Sequence, residues 1–318
     1  MEPSRRKMLQ AAAAGLGVAG LGSPAAAADF STEQSPDFIL VKDAGGRPLA
    51  RYLNGKVPAG EAAPAVPYTA YTHPIWTPAG EVVTDVGAKD HPHHRGVFCA
   101  WIQAAGTRNG DWWGWGQRAP KAGRTIAGRS ARVVSASAGS AVIEAVNLWK
   151  AEDAPILLET VRIRASQARG HQVLDYRYHF APATDHPVVL GQQPFGGFCY
   201  RAKPRGQIII SDASGPLDRQ DSDPDVPARN WPSMPWYDFS TKAADGSIVG
   251  GAVMDHPQNP PSTWHIVRFA HMLNPCIVRE APFTIGAKGL TLRYRVAAHD
   301  GPADAAALDA LAAEFRKS

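Results

Sequence analysis

Along residues 38–299 apolar and polar side chains alternate with a period of two, in short runs punctuated by Gly and Pro. Residues 290–298 are the clearest case. Leu290, Leu292, Tyr294 and Val296 fall on one side, Thr291, Arg293 and Arg295 on the other, as in an antiparallel strand with one face on a core. Leu174, Tyr176, Tyr178 and Phe180 alternate with Asp175, Arg177 and His179 in the same way, and residues 142–149 and 157–163 follow suit. The spacing predicts consecutive meander strands. Only residues 303–317 carry helical spacing, with Leu308, Leu311 and Phe315 on one stripe and Asp304 in the acidic first turn. The segments 56–67, 104–123, 212–229 and 255–263 lack a period and are too long for tight hairpins. Within them, residues 218–225 read as a solvated acidic turn. No linker composition interrupts the pattern, so residues 29–318 are expected to form one all-β domain, a large antiparallel β-sandwich closed by a short C-terminal helix.

The first residues change the picture of where the protein works. Arg5, Arg6 and Lys7 precede a weakly apolar Gly/Ala stretch and an alanine run ending at Ala28. This is the layout of a twin-arginine signal peptide over residues 1–28, which predicts export by the twin-arginine (Tat) machinery to the periplasm or beyond. No later segment reaches the roughly 18 apolar residues of a membrane span, so no membrane anchor is expected. Loss of the leader would take away Arg5, Arg6, Lys7 and Glu2 and leave the formal charge, +4 for the whole chain, small and positive. No basic patch points to a nucleic-acid partner. Cys99, Cys199 and Cys276 stand far apart in apolar runs and are expected as buried thiols.

The densest chemistry lies at residues 90–96, Asp-His-Pro-His-His-Arg-Gly. Neutral imidazole is both a common metal ligand and the side chain suited to proton transfer near pH 7. Asp90, His93, His94 and Arg95 are therefore candidate catalytic residues. In an extended stretch His91 and His93 would share a face while His94 pointed away, and His91, His93 and His256 form a candidate ligand set for a divalent metal such as Zn, Mn or Ca. Asp90 would then orient a ligand. A polar turn whose imidazoles only hydrogen-bond the loop is the alternative.

Three further segments supply candidate substrate contacts. Trp112, Trp113 and Trp115 sit in a Gly-rich loop, where exposed indoles would stack on sugar rings, or two of them would plug the core. Arg201 ends the run that starts at Gly196 and would bind a carboxylate or hydroxyls, or else make a surface ion pair. His73, Asn259 and His265 lie in or beside proline-containing loops; a proline holds the residue before it extended, as at His73 and His256. There is no G-x-S-x-G, H-E-x-x-H, G-x-G-x-x-G or P-loop pattern, so no nucleotide cofactor is expected.

Residues 71–80, 90–96 and 259–265, with Leu292-Arg-Tyr-Arg and His299-Asp-Gly, resemble the bacterial "PmoA-like" family over nearly all of the chain after the leader. Its H-x-H-H-x-G core is matched by His91, His93, His94 and Gly96. Arg95 stands where many members carry His or Lys, so a scheme that needs histidine there is not carried over. The resemblance implies a sandwich of the galactose-mutarotase-like (supersandwich) type and carbohydrate chemistry. Together with the residues above, it points to a secreted carbohydrate-active enzyme of the lyase type that uses the His cluster, with or without a metal. The alternatives are a metal-free aldose epimerase and a non-catalytic sugar-binding protein.

Overall fold

The alternating runs become antiparallel strands. The computed structural model describes residues 29–318; the leader expected over residues 1–28 lies outside the described residues. One sheet has eight strands in the order Ser31–Gln34, Phe38–Lys42, Pro48–Leu53, Tyr71–Ile75, Val97–Trp101, Gly196–Arg201, Met272–Cys276 and Thr263–Val267. A second has nine, and at its heart are the predicted meander strands Ser140–Ala151, Ala154–Ala168 and His171–Pro182, with Leu290–Asp300 beside the last; a third, of four short strands, is Phe283–Ile285, Val188–Leu190, Ala104–Ala105 and Asn109–Gly110. Tyr176 lies opposite Tyr294 and Leu174 opposite Val296, so the apolar sides of both strands face the same way.

The two large sheets meet through these side chains. Phe198 of the eight-stranded sheet stacks on Tyr294 of the other at 4.3 Å between ring centres, and Trp101 packs edge-on against Phe180. The core is therefore aromatic and continuous between the layers. The molecule is an all-β antiparallel sandwich with one C-terminal helix, Ala305–Phe315. Asp304 caps that helix by accepting from the Ala307 amide at 3.1 Å. Its Leu308, Leu311 and Phe315 are buried as the stripe predicts. They cover Val173, Trp236, Ala252, Met254 and Ala297 on the outer face of the nine-stranded sheet. This is why Arg295, expected on a solvated face, is buried: the helix roofs it, and its guanidinium pairs with Asp175 and donates to the Leu311 carbonyl. The three cysteines are buried free thiols. No helix among the described residues is long and apolar enough to cross a membrane.

The eight-stranded sheet also positions the site. Val97 pairs with Tyr200, Arg201 with Met272, and Met272 with Val267, so four strand ends lie side by side. The segments that enter or leave these ends, residues 90–96 and 268–271, are thereby gathered at one edge of the sandwich.

Candidate functional site

The histidine segment is a turn, not an extended stretch. Pro92, with its fixed φ, sits at the second position, and the His94 amide donates to the His91 carbonyl at 3.0 Å. All three imidazoles therefore converge instead of splitting between two faces. His91 stacks on His94 at 4.7 Å between ring centres, and His93 stands edge-on to His94 at 4.6 Å. Gly96 closes the turn at φ 58°, where a Cβ would lie 2.2 Å from the Thr72 carbonyl oxygen. The glycine of the motif is thus required by both backbone conformation and space.

Behind His91 stands a charge relay of side chains. Arg201 is buried, and its guanidinium donates to both carboxylate oxygens of Asp90 at 2.9–3.1 Å and also to the Ala270 carbonyl. Asp90 in turn lies 2.9 Å from Nδ1 of His91. Burial opposes ionisation of Asp90, but the hydrogen bonds from Arg201 and His91 outweigh it and hold its pKa well below the ordinary carboxylate value. An ionised Asp90 accepts only, so Nδ1 of His91 carries the proton of this bond and Nε2 is the ring nitrogen turned away from it. Arg201 is thus committed to Asp90, rather than free for a substrate or at the surface.

A cavity of about 570 Å³ opens in front of this turn. His91, His93, His94 and His265 line it together with Trp113 and Trp115. Phe195, Val267, Phe269 and Met272 complete the apolar wall, and Phe269 stands 68% exposed at its rim. Trp115 lies parallel to His91 at 5.7 Å, and His265 packs on Phe195 at 5.1 Å. Burial first, and then neighbouring positive charge, lowers the pKa of His93 to about 3 and moves that of His94 in the same direction. Burial and Arg279 bring His265 to about 3. These imidazoles are neutral at physiological pH. Nε2 of His93, Nδ1 of His94 and Nδ1 of His265 have no hydrogen-bond partner among the described residues.

The tryptophans divide. Trp112 and Trp113 are fully buried, and only Trp115 is partly exposed. The amides of Trp112 and Trp113 both donate to the Trp101 carbonyl, at 2.9 and 3.0 Å, which docks the loop on a strand end and turns these indoles inward. Nε1 of Trp112 is spent on the carbonyls of Thr125 and Lys150, so Trp112 is a core plug and not a stacking surface. Trp113 reaches the cavity only as part of its wall, edge-on to His94. Gly114, at φ 104°, brings this loop against the histidine turn, where a Cβ would lie 2.9 Å from that of His93.

Other expected site residues lie elsewhere. Arg95 points into the sandwich, fully buried, with its guanidinium carbon 4.1 Å from the ring centre of Phe98 and 4.8 Å from that of Tyr68. It does not line the cavity; it donates to the His93 carbonyl and props the turn from behind. His73 bonds Thr84 at 3.0 Å, with its pKa lowered to about 4 by burial and then by Arg51, and is no part of the cavity wall. Asn259 locks its own loop to Asp255 and to the backbone of Arg293. His256 packs on Phe315 of the helix at 5.0 Å and lines a different cavity with Asp255 and Asn259. The ligand set His91, His93 and His256 is therefore not brought together. Among the described residues no three His, Cys, Asp or Glu side chains form a group that could hold a metal ion. The stacking of His91 on His94 also sets their lone pairs in nearly parallel planes, 21° apart, which does not direct them to one ion.

The acidic run 218–225, expected to be solvated, supplies the facing wall. Gln220, Asp221, Ser222, Asp223 and Pro224 line the cavity, with Arg229 paired to Asp223 at 3.0 Å. Ser222 ties this segment to the edge strand Thr263–Val267: its amide donates to the Ile266 carbonyl and its Oγ accepts from the Ile266 amide. Arg268 clamps Asp221 through backbone and side chain. Ile266 and Arg268 lie 44 and 47 residues from their partners, and an Asp/Pro-rich run carries no period from which to infer the docking.

The protein is thus a β-sandwich with an imidazole cavity at the end of four strands. The chain belongs to the family of unknown function DUF6807, whose model matches residues 40–313. No curated protein matches it. Among solved structures it is similar to the GH36 alpha-galactosidase AgaA from Geobacillus stearothermophilus, with 11% identity, a TM-score of 0.36, and coverage of 86% of this chain and 41% of that one. It is also similar to the alpha-galactosidase from Lactobacillus brevis, with 9% identity, a TM-score of 0.39, and coverage of 86% and 40%. The chain spans about two fifths of the length of each.

Proposed function

We propose that this protein is a carbohydrate-active enzyme of the lyase type, with His91 as its general base. The observation that carries the reading is the Arg201–Asp90–His91 relay, which ends at the wall of a cavity built from aromatic faces and neutral imidazoles. The apolar face of a sugar ring would lie against Trp115 and Phe269, and its hydroxyls would bond His93, His94 and His265. Nε2 of His91 removes the proton from the carbon next to a carboxylate, and the electron pair forms the new C=C bond as the glycosidic C–O bond breaks. The proton returns from His91 to the departing oxygen. Arg229, across the cavity and bonded to Asp223 through one guanidinium nitrogen, would donate from its remaining N–H groups to the carboxylate while the negative charge develops. Asp90 stays ionised throughout and steadies the imidazolium of His91, as an orienting carboxylate does in other base–carboxylate pairs.

The test is turnover of a panel of uronate-containing oligosaccharides, read as newly formed unsaturated ends. The wild-type protein is expected to release such products, and His91→Gln to lower kcat by about 10²-fold or more, the scale of a lost general base, with an unchanged unfolding midpoint. Binding with no product from any member would leave a sugar-binding protein. Equal turnover by His91→Gln would remove His91 from the chemistry.

A further inference from the structure

Beside the imidazole cavity lies a second one of about 380 Å³, and the two share a partition. Two segments line both. Phe195 faces the first while Gln193 and Pro194 face the second; Asp223 and Arg229 face the first while Asp225 and Pro227 face the second; Pro224 borders both. Arg279 builds the partition from beneath, donating to the Pro224 carbonyl at 3.0 Å.

The chemistry of the second cavity differs from that of the first. It has no aromatic wall, and its side chains are Arg118, Gln192, Gln193, Arg279, Asp225 and Glu280 around three prolines. Gln193 is largely engaged, its Oε1 accepting from the amides of Ile102 and Gln103 and one Nε2–H donating to the Gly191 carbonyl. Among the described residues Gln192 uses only its Nε2, on the Arg279 carbonyl, and its Oε1 accepts no bond. Among the described residues, Arg118, Asp225 and Glu280 have exposed side chains that make no hydrogen bond or ion pair with the protein. Donors and acceptors are thus interleaved and the charges of two arginines and two carboxylates balance. Such a set does not select an anion. It suits neutral hydroxyls, each of which both donates and accepts.

We propose that the two cavities are successive subsites for one oligosaccharide: the reacting ring lies among the imidazoles, and a neutral sugar ring linked to it lies against Arg118 and Gln192. This rests on the carbohydrate reading above and adds to it where the second ring is held and that it is neutral. Binding energy from the second ring, remote from the chemistry, would help to hold the first in register with His91.

The experiment is calorimetric titration of the full chain and of the Arg118→Ala/Gln192→Ala double variant. The probes are one-, two- and three-ring gluco-, galacto- and manno-oligosaccharides, each neutral or ending in a uronate. Both substituted residues are exposed, so the variant is expected to fold. A ligand of two rings should bind the wild type at least about tenfold more tightly than its one-ring counterpart, and the variant should bind both alike. A two-ring ligand that gains nothing, or keeps its gain in the variant, overturns the second subsite while leaving the first intact. If no probe of any length binds the wild type, the carbohydrate reading fails and the subsite falls with it.

Discussion

Asp90 shows how a single side chain links the core to the chemistry. Its carboxylate is partly exposed, yet the buried Arg201 on one side and His91 on the other keep it ionised. The neighbouring imidazoles are governed by the opposite force, burial without a compensating anion. His73, His93 and His265 have pKa values lowered to about 4, 3 and 3, and His94 is lowered as well. The unfolded chain protonates its histidines near 6.5, so between pH 6.5 and about 4 it binds protons that the folded protein does not, and stability falls with pH. His171, His256 and His271 are lowered too, while three buried carboxyls act in the opposite sense, Glu159 raised to about 7, Asp255 to about 6 and Asp111 also raised, as does His299, which Asp238 raises. The lowered imidazoles outnumber them. The urea midpoint is therefore expected to fall on acidification from pH 6.5 to about 4.5, with a shallower fall in His265→Gln. An equal slope in the variant would mean that the folded protein protonates His265 freely. At this scale the histidine cluster was legible because of its density. The partner of Asp90 was not, since Arg201 lies 111 residues away. Nor was the inward turn of Trp112 and Trp113, which depends on docking to the Trp101 carbonyl.

The elements were more legible than the contacts between them. Period-two runs such as residues 174–180 and 290–298 are strands because one face of each meets the opposite sheet, and that face must be apolar whatever else packs nearby. The C-terminal helix declared itself by its stripe, but where the stripe would dock was not encoded locally. It lies over Val173, Ala252 and Ala297, small or apolar positions that read as the outward side of their strands. Because this packing is on the far face of the nine-stranded sheet, Leu311→Ala should destabilise the fold by about 2–5 kcal/mol, the usual cost of emptying a buried leucine site, and leave turnover unaltered. The check is a denaturation curve beside an activity measurement. A loss of turnover at temperatures where the variant is fully folded would mean that the helix communicates with the cavity.

At the scale of the whole molecule, the sandwich gathers remote segments around one space. Strand pairing sets Val97, Arg201, Met272 and Val267 side by side, and this alone brings residues 90–96 to residues 268–271. The acidic run 218–225 then closes the space by pairing Ser222 with Ile266, an arrangement no local pattern announces. His256 and Asn259, which share the proline-rich character of the other loops, are carried by the same topology to the helix side. The proposed reaction requires a sugar ring in the imidazole cavity with its reacting carbon presented to His91. A crystal structure of the His91→Gln variant with a bound uronate oligosaccharide tests this most directly. The predicted result is a ring against Trp115 and Phe269 whose acidic carbon lies within about 3–3.5 Å of the residue 91 side chain, the separation of a reactive pair. A ring bound instead in the cavity beside His256 and Asn259, or one whose carbons all lie beyond reach of residue 91, would contradict it.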